Sequence, residues 1–386
     1  MTDTKNSIRT LSVLERLSQK LTQRQKKGYI RKLNDCTKYI DFCSNDYLGL
    51  ANSALLKHSQ LQLDSHTFST PNGSTGSRLI SGNLNQTEEA ENFIATFHGA
   101  ESGLIFNSGF DANIGMMSCI ASGNDWIFYD EYAHTSLKDG IKLSRGHSAS
   151  FKHNNLEDLA AKVANATGRK FVVVEAVYSM DGDLAPLTQL LELCKSFGAE
   201  LIVDEAHAVG VYGQKGEGRV AELDIENSVF ARTVTFGKAI GCNGAIVLGS
   251  KVLRQYLINY AHSFIYTTAL PFHCLQRVQT AYRIMQNWTQ KREKIRKLSS
   301  LLRRRLKPEI CYAIVGDQPH IISILIPGNR LAKQLSARLL QQNIYVKAIL
   351  FPTVPQGKER LRISIHSFNT AKQIEKLADT INRFTQ

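Results

Sequence analysis

Leu201-Ile202-Val203-Asp204-Glu205-Ala206-His207 is the stretch on which the fold turns, together with the later Thr235-Phe236-Gly237-Lys238-Ala239-Ile240-Gly241. Three consecutive apolar residues that do not alternate with polar ones predict a strand covered on both faces, as in a parallel sheet. Working outward, Leu104–Phe106, Trp126–Tyr129, Phe171–Val174 and Ala245–Leu248 read the same way, with helical patterns between them. Residues from about 100 to 250 are therefore expected to form an α/β domain.

The flanks read differently. Residues 7–27 have helical spacing, with Ile8, Leu11, Leu14, Leu17 and Leu21 on one stripe and Gly28 as the stop. Residues 274–308 predict one long basic connector helix ending at Pro308. Beyond it, strands at Ile321–Ile326, Ile344–Ile349 and Leu361–Ile365 and a helix at Leu331–Leu340 predict a small α+β domain. A last helix starts near Ala371, with Thr370 and Gln373 as its capping box. The expected division is an N-terminal helix and arm over 1–50, a large α/β domain over 51–275, and a connector with a small C-terminal α+β domain over 276–386.

The chain has 386 residues, 43% hydrophobic and 21% charged, which suits a globular protein with a sizeable core. No apolar run approaches the ~20 residues of a membrane helix, and the basic N-terminus lacks the apolar centre of a secretory signal. Seven cysteines without Cys-x-x-Cys spacing read as reduced thiols in a cytoplasmic protein, and no metal-ligand pattern is present. The net charge of +13 suits a basic solvated surface or an anionic partner, and charge alone does not choose.

Chemistry is carried by strand ends. Ligands of open α/β sheets sit at the carboxyl edge. Asp204 ends an apolar run, and a buried carboxylate needs a partner. Lys238 sits among Gly237, Ala239 and Gly241, where small residues allow close approach. A desolvated lysine amine attacks carbonyls readily. Ser108-Gly109-Phe110 follows a strand and opens a helix, an arrangement that suits a phosphate, and Thr235 adds a hydroxyl. His134 follows the next strand, where a flat imidazole suits a flat ring. Ser179 follows a further strand. Each of these residues has a plainer alternative: a surface Lys, a capping Asp, an ordinary β–α turn, a loop His. Jointly they predict a pyridoxal 5′-phosphate site, with Lys238 as its covalent anchor, Asp204 on the pyridine nitrogen and His207 at the ring edge. Asp204-Glu205-Ala206-His207 also spells a helicase motif. No phosphate-binding Gly-x-x-x-x-Gly-Lys-Ser/Thr accompanies it, since Arg232 stands at the first Gly position and Ala239 follows the Lys.

From about Asp41 onward the chain resembles the α-oxoamine synthases, a branch of the fold-type-I pyridoxal-phosphate transferases. The matching segments are Ser44–Leu50, Gly73–Arg78, Ser179–Asp183, Asp204–His207, Thr235–Lys238, Tyr266–Ala269 and Pro352–Pro355. Length and the segment from Pro352 to Arg362 favour the branch member that joins L-alanine to a pimeloyl thioester in biotin synthesis. The resemblance implies a transferase with a large domain around a mostly parallel sheet. It makes Lys238 the Schiff-base lysine and the base at Cα, Asp204 the pyridinium partner and His134 the stacking ring. Ser179 and His207 fall on the phenolic oxygen, and Ser108, Gly109, Phe110 and Thr235 on the phosphate. It further implies a homodimer in which Thr267 and Thr268 reach the partner's phosphate. Asn45 and Arg362 are assigned to the amino-acid carboxylate. Arg24, with Arg31 and Arg78, is a candidate contact for a CoA or carrier-protein thioester, against the plainer reading of solvated arginines. Three departures stand out: Leu350 where relatives often carry Arg, Asn83 to Thr87 where many carry His, and Cys242-Asn243 after the Lys turn. Three rivals remain: a family member using glycine or another acyl-CoA, an aminotransferase on the same fold, and a nucleic-acid-binding protein. The last lacks zinc-finger spacing and RNP-type aromatics.

Overall fold

Leu201, Ile202 and Val203 lie in the central strand of a seven-stranded sheet. The computed structural model describes residues 12–58, 72–307 and 313–384. A short strand, β1 (Ile40–Asp41), lies outside this sheet. The sheet itself contains β2 (Ser102–Phe106), β3 (Trp126–Asp130), β4 (His147–Phe151), β5 (Lys170–Glu175), β6 (Ala199–Asp204), β7 (Ala231–Thr235) and β8 (Ala245–Gly249). Their order is β2-β8-β7-β6-β5-β3-β4. Only β8 runs antiparallel to its neighbours.

Two apolar layers explain the unbroken hydrophobic reading of these strands. Leu201 and Val203 join Val172 and Val174 in one core cluster. Ile202 joins Phe171 and Val173 in the cluster on the opposite face. Helices between the strands supply both layers, so alternate side chains are buried in either direction.

β4 and β7 are absent from the sequence expectation. β4 is the edge strand, and its Ser148 and His147 are exposed. β7 reads Ala-Arg-Thr-Val-Thr yet is buried. Its Arg232 donates from Nη2 to the His98 carbonyl at 2.7 Å, and its Nη1 faces Glu205 at 3.7 Å as an ion pair without a hydrogen bond.

The expected connector is two helices, Phe272–Met285 and Thr289–Arg305. At the break the Asn287 side chain donates to the Arg283 carbonyl at 3.2 Å, a local bond of the kind that competes with helix continuation. The second sheet contains β9 (Ile314–Val315), β10 (Ile321–Leu325), β12 (Ala348–Ile349) and β13 (Arg360–Ser364), all antiparallel. The single strand expected over 344–349 is divided. β11 (Ile344–Tyr345) pairs in parallel with β1, and β12 (Ala348–Ile349) pairs with β13. The last helix, Ala371–Phe384, buries Ile374, Leu377 and Ile381. Its capping box forms: Gln373 N–H donates to Thr370 Oγ1 at 3.3 Å and Thr370 N–H to Gln373 Oε1 at 3.0 Å.

The N-terminal helix spans Val13–Lys26, capped by Ser12. Ile8 and Leu11 of the expected stripe lie outside the described residues. Leu14, Leu17 and Leu21 do share a face, but it points to solvent. Among the described residues no helix is long and apolar enough to cross a membrane, and no His, Cys, Asp and Glu cluster suits a metal ion. Cys36, Cys43, Cys119, Cys194, Cys242 and Cys274 are free thiols.

Candidate active site

The carboxyl ends of β2, β3, β5, β6 and β7 lead into Ser108, His134, Ser179, His207 and Lys238 respectively. β13 of the second sheet contributes Arg362, and the segment before the large sheet contributes Asn45 and Tyr47.

Lys238 is half-buried, and its Nζ lies 2.8 Å from His207 Nε2. Burial lowers its pKa to about 8, against the opposing pull of Asp204 and Glu175. His207 is buried, and burial followed by the Lys238 charge pushes its pKa well down, so its ring is neutral. Its Nδ1 lies 2.7 Å from the Tyr47 hydroxyl. That hydroxyl donates to Asn45 Oδ1 at 3.1 Å and accepts from Arg362 Nη2 at 3.2 Å. Arg362 Nη2 also donates to Asn45 Oδ1 at 3.1 Å, while its Nε donates to the Ser179 carbonyl at 2.5 Å. Lys238, His207, Asn45 and Arg362 thus form one connected cluster, and Ser179 aims the guanidinium through its backbone.

Asp204 is buried at the end of β6. Asn113 Nδ2 donates to its Oδ2 at 2.8 Å, and the Ala206 N–H to its Oδ1 at 2.9 Å. Asn113 also donates to Ser136 Oγ at 2.9 Å, and Ser136 lies 2.8 Å from His134 Nδ1. His134 is exposed, its ring anchored at one edge. Glu175 sits directly across the strand pair from Asp204. Burial, and then the Asp204 charge, raises its pKa to about 8.

Ser108 caps the helix Gly109–Cys119, accepting from Asp111 N–H at 3.1 Å. A Cβ on Gly109 would stand 3.2 Å from the Thr235 Cβ, so these two turns are in close contact. Phe110 is exposed. Thr267 Oγ1 accepts from Asn107 of its own chain at 2.9 Å, as does the Thr268 carbonyl. Arg24 and Arg31 line a cavity of about 670 Å³ between residues 24–34 and residues 333–353, with Leu350 and Thr353 on its wall and neither Lys238 nor Asp204 lining it. Arg78 departs from expectation. It is ion-paired with buried Glu91 and bonded to Asn83 at 2.8 Å, a structural cation with little left for a substrate.

The family model for aminotransferase class I and II matches residues 37–381. This chain belongs to that family. The 8-amino-7-oxononanoate synthase of Emericella nidulans is 39% identical, over 96% of this chain and 95% of its own. The enzyme of the same name from Lysinibacillus sphaericus is 36% identical over 90% and 88%. Among solved structures, 8-amino-7-oxononanoate synthase of Francisella tularensis is 30% identical with a TM-score of 0.76, covering 90% of this chain and 98% of its own. Sphingomonas wittichii serine palmitoyltransferase is 26% identical with a TM-score of 0.87, covering 97% and 98%.

This aminotransferase-family chain is a pyridoxal-phosphate enzyme, and its donor set fits that cofactor. An amine of lowered pKa, a buried carboxylate and a helix N-terminus packed on a hydroxyl supply the groups that an aldehyde, a ring nitrogen and a phosphate require. Sequence reasoning missed Asn113, Glu175 and the role of Tyr47. Tyr47 lies inside the quoted Ser44–Leu50 motif, which was a usable signal. Asn113 sits mid-helix and carries no local one.

Proposed function

We propose that this chain condenses L-alanine with a pimeloyl thioester, on CoA or a carrier protein, to give 8-amino-7-oxononanoate, carbon dioxide and the free thiol. The reading is supported by two curated relatives of that name at 36% and 39% identity, each spanning most of the chain. The observation that carries it is the cluster joining Lys238 through His207 and Tyr47 to Asn45 and Arg362.

When bound, the cofactor offers its aldehyde to Lys238 and a cationic ring that draws electrons from Cα. Lys238, once freed by the incoming amino acid, takes the Cα proton. Arg362 and Asn45 hold the carboxylate and fix rotation about Cα. Asp204 would keep the ring nitrogen protonated, His134 would stack on the ring, and Ser179 and His207 would serve its phenolic oxygen. Ser108, Gly109, Phe110 and Thr235 would hold the phosphate. In the same proposal the protein is a cytoplasmic homodimer, and Thr267 and Thr268 complete the partner's phosphate site. The substrate's Cα bonds to the thioester carbonyl, the C–S bond breaks, the carboxylate leaves as carbon dioxide, and a proton returns to Cα.

The cavity beside the arm suits the thioester. Arg24, Arg31, Lys32, Lys333 and Lys347 line it without a carboxylate, and Leu350 and Phe351 add apolar wall. This pairing of cations with an apolar surface matches an anionic group on an acyl chain. A second reading, a longer acyl chain with glycine or serine, is favoured by Leu350 in place of a wall cation and by the fold likeness to serine palmitoyltransferase. Product analysis decides: purified protein is given alanine, glycine or serine with pimeloyl, acetyl and palmitoyl thioesters. Carbon dioxide release only with alanine and pimeloyl thioester is expected. Transfer of the amino group to a keto acid without carbon dioxide release would sink the proposal.

A further inference from the structure

The Tyr47 hydroxyl is where the two halves of the site meet. Its ring is fully buried, and its partners come from the arm (Asn45), the turn after β6 (His207) and β13 (Arg362). His320 packs edge-on against the same ring, with centroids 4.6 Å apart, and its Nε2 lies 2.7 Å from the His207 carbonyl. Tyr47 and His320 therefore hold His207 by its ring and by its backbone.

We infer that Tyr47 is a positioning residue that makes the amino-acid carboxylate site and the Lys238–His207 pair one hydrogen-bonded unit. The inference rests on the carboxylate role proposed above for Asn45 and Arg362. A phenol carries one proton and a guanidinium only donates, so the Tyr47 oxygen accepts from Arg362 in every state. With Lys238 as an ammonium, His207 Nε2 accepts from it, Nδ1–H donates to the Tyr47 oxygen, and the phenol proton goes to Asn45. With Lys238 as a free amine, Nε2–H donates to the amine, Nδ1 becomes the acceptor, and the phenol proton turns to it and leaves Asn45. In either state the single phenol oxygen stays bonded to Arg362 and to His207, so the guanidinium that receives a carboxylate and the imidazole that faces Lys238 are fixed against each other. The free amine is the state that accepts the Cα proton. The other titratable groups facing these bonds are Asp204 and Glu175 at Lys238, and His134 and His320 at His207.

Tyr47→Phe and Asn45→Ala, singly and together, test the inference. In the holoenzyme, spectral titration reads amino-acid binding. Tyr47→Phe is expected to weaken it about tenfold, the effect of losing one hydrogen bond to charged groups. The thioester KM should move by less than about twofold, and the double variant should bind about as weakly as the weaker single one. In the cofactor-free protein, the rate at which added pyridoxal phosphate develops its visible band should fall severalfold in both single variants. Amino-acid binding unchanged in Tyr47→Phe, or single effects that simply multiply in the double variant, would overturn the inference. Wild-type holoenzyme with no spectral response to alanine, glycine or serine would instead overturn the carboxylate reading, and this inference with it.

Discussion

Asn113 Nδ2, on the helix Gly109–Cys119, donates to Asp204 Oδ2 at the end of β6 at 2.8 Å. Both residues are buried, so this bond is not shared with solvent. Asn113→Ala removes a donor from a buried carboxylate, a loss of roughly 1–3 kcal/mol. Part of that cost is expected in cofactor affinity, measured by absorbance on dilution or dialysis, as a drop of about tenfold. Asn113→Asp sets a second carboxylate beside Asp204 and should do worse. Cofactor retention equal to wild type in both variants would show that Asn113 does not support Asp204.

Lys238 has its pKa lowered by burial to about 8, partly offset by Asp204 and Glu175. An ordinary lysine titrates near 10.4. The free-amine fraction should therefore rise through pH about 8, and capture of pyridoxal phosphate by cofactor-free protein should rise with it and level off above about pH 9. Stopped-flow absorbance between pH 6 and 10 reads this midpoint, and a value near 10 would contradict the buried-amine picture. Lys238→Ala should abolish covalent attachment and lower turnover by roughly 10²–10⁴-fold or more.

Arg362 is buried, with Nε committed to the Ser179 carbonyl and Nη1 donating to Ser364 Oγ at 3.1 Å. A lysine keeps the charge and loses the fixed fork. Arg362→Lys should raise the amino-acid KM about 10- to 100-fold, the scale of one or two charge-assisted bonds. The thioester KM should move much less. Steady-state kinetics with each substrate varied separately distinguishes this from general damage, which would lower kcat and leave both KM values in place.

How far the sequence was legible follows from where each signal lies. β2, β3, β5, β6 and β8 were readable because two covering layers demand apolar residues at every position. β7 was not, because Arg232 and Thr233 are buried polar residues, and the groups that Arg232 meets, His98 and Glu205, lie elsewhere in the chain. The split of 344–349 between two sheets depends on β1, some three hundred residues upstream, which no local pattern encodes. In the site, Asp204 and Lys238 stand in compact motifs on strand ends. The bond from Asn113 to Asp204 spans 91 positions, and the contact of Tyr47 with His207 spans 160. Only the folded sheet brings such pairs together. The stripe of the N-terminal helix was legible as a pattern but not in its surroundings, because periodicity gives a face and not what that face meets.

His153 places Nδ1 2.9 Å from Asp130 Oδ1 and Nε2 2.7 Å from Asp183 Oδ2, while stacking on Tyr132 with centroids 4.3 Å apart. Burial would lower its pKa, but hydrogen bonds to the two carboxylates outweigh burial and raise it to about 10. The ring is therefore an imidazolium tying the end of β3 to the loop that carries Ser179. An unfolded histidine titrates near 6.5. A raised folded-state pKa gives stability that is fully present below about pH 6.5 and is lost as pH rises through about 10. His153→Gln should accordingly cost most near pH 6, on the order of 1–3 kcal/mol for two hydrogen bonds between charged groups that are not fully sequestered from water. The gap from wild type should narrow steadily towards pH 10. Thermal midpoints of both proteins at intervals across this range read the difference, in which every other titrating group common to the two cancels. A gap that stays constant from pH 6 to 10 would mean that His153 acts through its shape and not through its charge.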